Sequence, residues 1–549
     1  PEDNYVLLGS LDETVIQHGA EFNLGIHQYG ENLYTPNGHK YIREFDCEVI
    51  SKTTYRVGGV ILTKERMLVS FEPRVLIRYT LVEAHSPTTL RLKPFLAFRS
   101  TSELTHENPG ACSDMREVQN GRAARMYPAF PELYMQCSKK CEYTHNPQWY
   151  RGIEYLKELE RGFSYKEDQL VPGWFEVPMK KGESIIFAAG ISEVKTNTLK
   201  GLWEKELQRR SARDTMFNSL KNAASQFYKR EGDKCYLMAG YPWFKCRARD
   251  MFISLPGLTL ALNEEFEFLS AMNTAAEAIR DFIKGRPSKC QIYEMERPDV
   301  FLWAIWAIQQ YAKYCGRDKA WSQYGRLMMD IMDYLRHNRH VNFYLHANGL
   351  VHINGRDSAE TWMNSTVDGR PVVSRTGYVV EINALWYNAL KFVAELSNEF
   401  EKADYSRRME QIAQKVEVSF PEVFINEYGY LYDYVDGDYK DLSVRPNMVF
   451  ALAFDYSPLQ QKQKKSVLDI ITKELLTPKG LRSLSPKSLG YNPNYVGPQR
   501  ERDYAYHQGT AWPWLAGFYF EAYLKLYKRS GLSFIERQMI GYEDEMVSH

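Results

Sequence analysis

The spacing of apolar residues divides the chain into a strand-rich first part and a helix-rich second part. Up to about residue 195, apolar residues alternate with polar ones or form short β-branched runs between turn residues, as over 75–84 and 89–98. From about residue 196 they recur every three or four positions, which predicts helices. The main predicted helices cover 264–283, 299–314, 318–337, 379–397, 402–418, 444–455, 459–476 and 509–529.

This pattern predicts an antiparallel β-sandwich over 1–195, a helical linker over 196–232 and a helical domain over 233–549. At about 25 residues per helix and loop, roughly 300 residues give about twelve helices. Twelve helices can close as two concentric rings, an (α/α)6 toroid. Segments 301–308 and 382–390 are apolar on most faces, as an inner ring requires, whereas 401–420 is amphipathic and suits the outer ring.

Composition narrows the class of protein. The net charge is +0, so the chain has no excess of positive charge for nucleic acid or an anionic membrane, and no apolar run is long enough to span a bilayer.

Eight cysteines are scattered up to Cys315 and no signal peptide is visible, which favours a reducing compartment, the cytoplasm. The chain opens at Pro1 without a methionine, and we therefore expect it to be a fragment.

Several loops that precede apolar helices share one composition: aromatic residues, a carboxylate, and an arginine or amide. A site mounted on rigid helices is expected to have such loops, although each residue can equally be a helix cap or a salt-bridge partner, Asp299 above all. The candidates are Trp243, Arg249 and Asp250; Asp299 and Trp303; Glu360, Trp362, Asn364, Asp368, Arg375 and Glu381; Arg445 and Asn447; and Glu501, Arg502, Asp503, His507, Gln508, Trp512 and Trp514.

This combination is typical of a site for cleaving glycosidic bonds. That reaction uses two carboxyl groups, one of them kept protonated by a desolvated, aromatic-walled environment and the other ionised. Amides and guanidinium groups suit sugar hydroxyls. No metal cluster, phosphate-binding glycine loop or nucleophile elbow competes with this interpretation.

The motifs themselves resemble a known family. AGYPWFKCRARDMFISLPGLTLAL, ETWMN with VVEINALWYNAL, VRPNMVFALAF, LLTPKGLRSLSP and RERDYAYHQGTAWPWLAGFYFEAYL occur in the order seen in bacterial and archaeal glycogen debranching enzymes of the amylo-α-1,6-glucosidase type. GSLDETVIQHGAEFN and NGHKYI resemble the N-terminal domain of that family, without its usual first strands. The resemblance implies an (α/α)6 barrel, inverting release of glucose from α-1,6 branch stubs of glycogen or limit dextrin, and no metal or organic cofactor.

The resemblance also implies catalytic roles. The general acid of the family lies in a TWMD motif, which reads TWMN here, so the acid position is Asn364. An amide cannot donate a proton as a carboxylic acid does, so this position has been disabled or its role has moved to Glu360 or Asp368. The base is expected to be Asp503, with Glu501 second. In an inverting enzyme the two carboxyl groups lie roughly 6.5–9.5 Å apart.

Binding roles follow in the same way. Arg249 and Asp250 resemble the pair that holds the terminal glucose in glucoamylase-like barrels, and Glu381 and His507 are expected to line the same subsite. The remaining predicted substrate-binding residues are Trp243, Asp299, Trp362, Arg375, Gln508 and Trp512.

The expected partner is a branched α-glucan, not nucleic acid or a membrane. Three alternatives stay open: an α-1,4-glucosidase or trehalase-like hydrolase on the same barrel, a non-catalytic glucan-binding protein, and a helical toroid for protein–protein contacts.

Overall fold

The computed structural model describes residues 4–241 and 243–548. Two compact units emerge: Pro1–Ala223 with Tyr241–Trp243, and Ala224–Gly240 with Phe244–His549. Among the described helices, none combines the length and apolar character needed to cross a bilayer.

The first unit is built mainly from strands. They are β1 (Tyr5–Gln17), β2 (Ala20–Asn23), β3 (His27–Gly30), β4 (Leu33–Thr35), β5 (Ile42–Asp46), β6 (Ser51–Val57), β7 (Val60–Leu68), β8 (Arg74–Glu83), β9 (Thr88–Ser100), β10 (Met115–Val118), β11 (Gly121–Ala124), β12 (Leu133–Cys137), β13 (Glu142–Glu154), β14 (Lys166–Met179) and β15 (Ser184–Gly190). Three helices accompany them: α1 (Leu156–Glu160), α2 (Leu199–Gln208) and α3 (Met216–Ala224).

These strands form the predicted antiparallel β-sandwich. One sheet has the order β13-β14-β9-β1-β2 and the other β10-β11-β12-β15-β8-β7-β6-β5, and their apolar inner faces share one core. The Tyr79 hydroxyl of the larger sheet donates to Glu13 of the smaller sheet across a distance of 2.5 Å. Helix α2 covers the outer face of the larger sheet, where Leu199 and Trp203 join a separate apolar cluster.

The second unit is mainly helical. Its helices are α4 (Ala248–Leu258), α5 (Glu265–Ile283), α6 (Val300–Cys315), α7 (Arg317–Arg336), α8 (Val380–Glu399), α9 (Ala403–Phe424), α10 (Phe450–Ala453), α11 (Gln461–Glu474), α12 (Gln499–Ala505), α13 (Trp514–Tyr527) and α14 (Leu532–Ser548). Its strands are β16 (Tyr228–Glu231), β17 (Lys234–Leu237), β18 (Tyr344–Leu345), β19 (Val351–Ile353), β20 (Thr366–Val367), β21 (Arg370–Pro371), β22 (Gly377–Val379), β23 (Tyr434–Asp436), β24 (Tyr439–Lys440), β25 (Leu476–Thr477), β26 (Gly480–Arg482) and β27 (Ala511–Trp512).

The helices follow an inner and outer arrangement. Helix α4 packs against α6, α6 against α8, α8 against α10, and α10 against α13. Helices α6 and α8 are buried along most of their length, as their apolar sequences predict. Helices α5, α7 and α9 pack beside them with one face exposed. The loops that precede the inner helices therefore share one scaffold.

Three of the predicted helices are wrong in extent. The helix predicted over 402–418 continues to Phe424, with Pro421 inside it. The last one begins at Trp514 rather than near residue 509, because Ala511–Trp512 pairs with β26 and Pro513 follows it. The segment predicted as a helix over 444–455 contains a 3-10 turn, Pro446–Val449, and then the short α10. Apolar spacing cannot distinguish a short 3-10 turn from a helix in so buried a segment.

Buried side chains of α8 should dominate the stability of the helical unit. We expect Leu385→Ala, at a fully buried position, to cost about 2–5 kcal/mol because it removes apolar contacts and leaves a cavity. The exposed Val418→Ala on α9 is the control and should change stability by at most about 0.5 kcal/mol. Thermal unfolding checks both, and equal effects would contradict the inner placement of α8.

Candidate active site

The loop before α8 carries most of the candidate residues. Asp368 and Gly369 both have positive φ (51° and 76°) and join β20 to β21 in a tight hairpin, for which an Asp-Gly pair is the expected sequence. Upstream of this hairpin, Trp362 is buried and Asn364 is half-buried. The loop then runs through β22 into α8, so the rigid inner helix positions it.

A buried ion network lies at the base of this loop. Arg375 is only 2% exposed and forms two hydrogen bonds to the carboxylate of Glu381. On its other side, Arg375 Nε lies 2.7 Å from Asp433 Oδ2 and Nη2 lies 3.1 Å from Oδ1. Two carboxylates thus share one guanidinium in a desolvated place, and Arg445 adds a second positive charge with its Nε 4.0 Å from Asp433 Oδ2.

The network extends to the other loops through Asn447. The Asn447 amide donates to Asp433 Oδ1 at 2.7 Å and accepts from the Trp362 indole at 2.7 Å. Arg445, two residues earlier, donates to the His507 carbonyl at 2.8 Å and to Gln508 Oε1 at 2.9 Å. The loops before α8, α10 and α13 are therefore joined by hydrogen bonds beneath the site.

The acid position and the predicted base lie on adjacent segments. Ser365, the neighbour of Asn364, donates its hydroxyl to the Asp503 backbone carbonyl at 2.5 Å. Asp368 forms an ion pair with Arg500 at 2.8 Å, which holds the hairpin against α12. The Asp503 carboxylate accepts from the Gln499 amide at 2.7 Å and is half-buried.

The alternative carboxylates are differently placed. Glu360 pairs with Arg297 at 3.2 Å, accepts from the Ser358 hydroxyl, and has a side chain 10% exposed. Asp368 is exposed and forms an ion pair with Arg500. Glu501 is exposed on α12. These carboxylates already have other partners or face open solvent.

Arg249 and Asp250 differ sharply in environment. Arg249 is buried, grips Asp299 through two hydrogen bonds of 2.7 and 2.8 Å, and also donates to the Glu360 carbonyl. Asp250 lies at the surface, yet the protein around its carboxyl group displaces water and raises its pKa, against the opposing charge of Arg249. Burial, the nearby Tyr495 and the charge of Asp250 together raise the pKa of Tyr506, so the Asp250 carboxyl group lies near the last loop.

A group of packed aromatic rings forms one side of the candidate site. Trp362 contacts the rings of His507, Trp512 and Trp514 edge-to-face at 5.2–5.3 Å. His507 stacks on Trp512 and is completely buried. Burial, together with the charges of Arg445 and Arg375, lowers the pKa of His507 to about 3, so the ring is neutral at physiological pH.

The predicted substrate-binding residues thus fall into three groups. Arg249, Asp299, Arg375, Glu381 and His507 are buried, and all but His507 are engaged in ion pairs, which favours positioning of the loops. Asp250 is exposed, whereas Trp512 and Gln508 are half-buried and Trp362 is 9% exposed. Trp243 is exposed and belongs to the first unit. As ligands of a sugar, all of them remain predictions.

Sequence reasoning missed Asp433, which holds the network together. It lies in YLYDYVDGDYKD, between several other carboxylates. Its place directly before β23 within an aromatic run was the only signal, and that signal does not separate it from Asp436 or Asp441.

The inner helices, with aromatic and carboxylate residues in the loops before them, define the class of fold to which this chain belongs. The architecture is that of a bacterial glucoamylase solved in complex with acarbose, with a TM-score of 0.52, 11% identity, and coverage of 96% of this chain and 83% of that chain. The fold is thus a β-sandwich with a glucoamylase-like (α/α)6 barrel.

The sequence specifies the family within this fold. The model for amylo-alpha-1,6-glucosidase matches residues 221–547, and the model for the glycogen debranching enzyme N-terminal domain matches residues 1–186. The chain belongs to the amylo-alpha-1,6-glucosidase family. It is 26% identical over 238 residues to the glycogen debranching enzyme of Saccharomyces cerevisiae, a match that spans 35% of this chain and 15% of the yeast protein.

The buried network should be costly to break. We expect Asp433→Asn to destabilise the protein by about 3–5 kcal/mol, because it removes one of the two charges that neutralise buried Arg375. Asp436→Asn is the control, since its partner Arg356 is 74% exposed and an exposed pair contributes about 1 kcal/mol or less. Thermal unfolding distinguishes them, and equal losses would contradict the role of Asp433.

His507 should make stability depend on pH. Its pKa in the folded protein, about 3, lies below the ordinary 6.5, so the unfolded chain binds the proton first and stability falls as pH drops below 6.5. At pH 4.5 the loss from this group is about 2–3 kcal/mol. We expect His507→Phe, which keeps the ring contacts, to lose less stability between pH 7 and 4.5. An unchanged pH profile of the melting temperature would contradict this.

Proposed function

We propose that this protein acts on α-1,6-linked glucose stubs at the branch points of glycogen or limit dextrin, by single-displacement inverting hydrolysis. One observation supports the proposal most: Ser365, the neighbour of position 364, donates to the backbone carbonyl of Asp503, the candidate base residue. The family match and the aromatic wall around Trp362 add to it.

In this proposal Asp503 is the general base that activates water, and position 364 is that of the general acid. Asp250, an exposed residue whose pKa is raised by the desolvation of its carboxyl group, binds the hydroxyl groups of the terminal glucose. Buried Arg249 forms an ion pair with Asp299, and this pair helps to hold the neighbouring residue Asp250 in position. No metal or organic cofactor has a part in this mechanism. The free cysteines suit the cytoplasm as the place of action.

Asn364 limits the chemistry of this chain. An amide has no acidic proton to give to the leaving oxygen. Glu360 and Asp368 are poor replacements, because each already forms an ion pair with an arginine. The chain therefore retains the binding residues and the base but lacks its proton donor.

Restoring the acid should restore hydrolysis. We expect Asn364→Asp to release glucose from a branched limit dextrin about 100 to 10,000 times faster than the unaltered protein, the usual contribution of a general acid. Asn364→Ala is the matched control and should give no gain. The measurement is glucose release, with isomaltose-type and maltose-type oligosaccharides compared alongside to establish the linkage.

Other outcomes identify the alternatives. Full activity of the unaltered protein would contradict the acid position and point to Glu360 or Asp368. Preference for maltose-type substrates would favour an α-1,4-glucosidase. A second candidate function, glucan binding without hydrolysis, is favoured by Asn364 itself, and retention of glucan with no glucose release from Asn364→Asp would support it.

A further inference from the structure

A cavity of about 490 Å³ lies in the first unit, between the β3–β4 hairpin and the outer face of the five-stranded sheet. We propose that it is a second carbohydrate site, which binds a short stretch of α-glucan chain and contains none of the residues proposed for hydrolysis. The choice of an α-glucan rests on the proposed function; the chemical class of ligand, a neutral polyhydroxylated chain, rests on the cavity.

The cavity is a built feature of the sheet. Asp12 and Lys93 are paired across β1 and β9, and Phe95 follows on the same outer face. An outer sheet face normally meets water, but Phe95 is only 1% exposed. The hairpin covers it, with the His27 ring 4.7 Å from Phe95, and Tyr150 of β13 lies 4.8 Å away on another side.

The walls offer aromatic faces of the kind that stack on sugar rings. Tyr29 and Tyr150 line the cavity and are each half-buried, so part of both rings remains accessible. The volume lies within the roughly 300–1,000 Å³ that is typical of small-molecule sites. A flat apolar ring beside polar groups matches the alternating apolar and hydroxylated faces of a glucosyl chain.

The charges of the cavity favour an uncharged ligand. Asp12 lies 2.7 Å from His27 Nε2 and opposite Lys93 in the sheet register. Lys93 donates to the Tyr150 hydroxyl at 3.1 Å, and Arg151 pairs with Glu107. Since the cationic and anionic groups offset each other, neither a phosphate nor a metal cation would find a matching excess of charge.

Polar groups remain for hydroxyl recognition. Within the described part of the chain, the Tyr29 hydroxyl has no hydrogen-bond partner. Burial and the nearby Asp12 charge raise the pKa of Tyr29 to about 12, so the hydroxyl keeps its proton. Asn23 uses its carbonyl oxygen to accept from Thr14 at 2.6 Å and keeps its amide N–H groups for a ligand.

A second site of this kind would hold a branched polymer while its ends are processed, because tethering raises the effective concentration of chain ends. It acts through binding alone and requires no residue of the barrel.

The test is a calorimetric titration of the full chain with maltoheptaose, whose binding is measured independently of hydrolysis. We expect two binding events in the unaltered protein. Tyr29→Ala removes one aromatic wall and Asn23→Trp fills the cavity, and each should weaken one event at least tenfold while leaving the other unchanged. Phe45→Ala, an exposed aromatic residue on β5 of the other sheet, is the matched control and should retain both events.

Unchanged titrations of Tyr29→Ala and Asn23→Trp, with melting temperatures that show folded protein, would overturn the proposal. A single event that only Asp250→Ala abolishes would overturn it too. The heat of binding is independent of turnover. A failure of Asn364→Asp to release glucose would refute the proposed function, whereas the titration would still decide whether the cavity binds the glucan.

Discussion

The guanidinium of Arg375 is the group on which the arrangement of the site depends. Two carboxylates, Glu381 and Asp433, neutralise it in a place without solvent, and Asn447 extends the network to Trp362. Removing any charge would leave another buried and unpaired, which is far more costly than losing an exposed ion pair. The loops before three helices are therefore fixed relative to one another, and so is Asn364, which lies on one of them.

That rigidity means that the side chain at position 364, the proposed acid position, can vary without a change in the loops around it. Asparagine and aspartate have nearly the same shape, and the contacts of Ser365 and Asp368 with α12 involve neighbours of residue 364 rather than its side chain. Position 364 can thus exchange an acid for an amide without disturbing the loops. An asparagine at this position cannot donate a proton as an aspartic acid can.

The β-sandwich shows a different use of polar groups. Glu13 and Tyr79 connect the two sheets inside the core, whereas Asp12, the preceding residue, points to the opposite face as strand alternation requires. On that face the charges are offset by neighbours, and aromatic rings with unused hydrogen-bonding groups surround a cavity. One strand therefore serves both the stability of the sandwich and a surface suited to a neutral ligand.

Much of the fold could be predicted from the sequence, because period-two and period-3.6 spacing depends on local geometry. The sandwich strands, the buried α6 and α8, and the motif order that indicates the family are all visible there, as is the Asp368–Gly369 turn. Only the tertiary structure decided that Arg375 and Glu381 are engaged in a buried network, that Asp433 completes it, and that the hairpin covers Phe95. Arg375 and Asp433 are 58 positions apart, and His27 and Phe95 are farther apart still along the chain. Neither spacing nor composition indicates which distant residues meet.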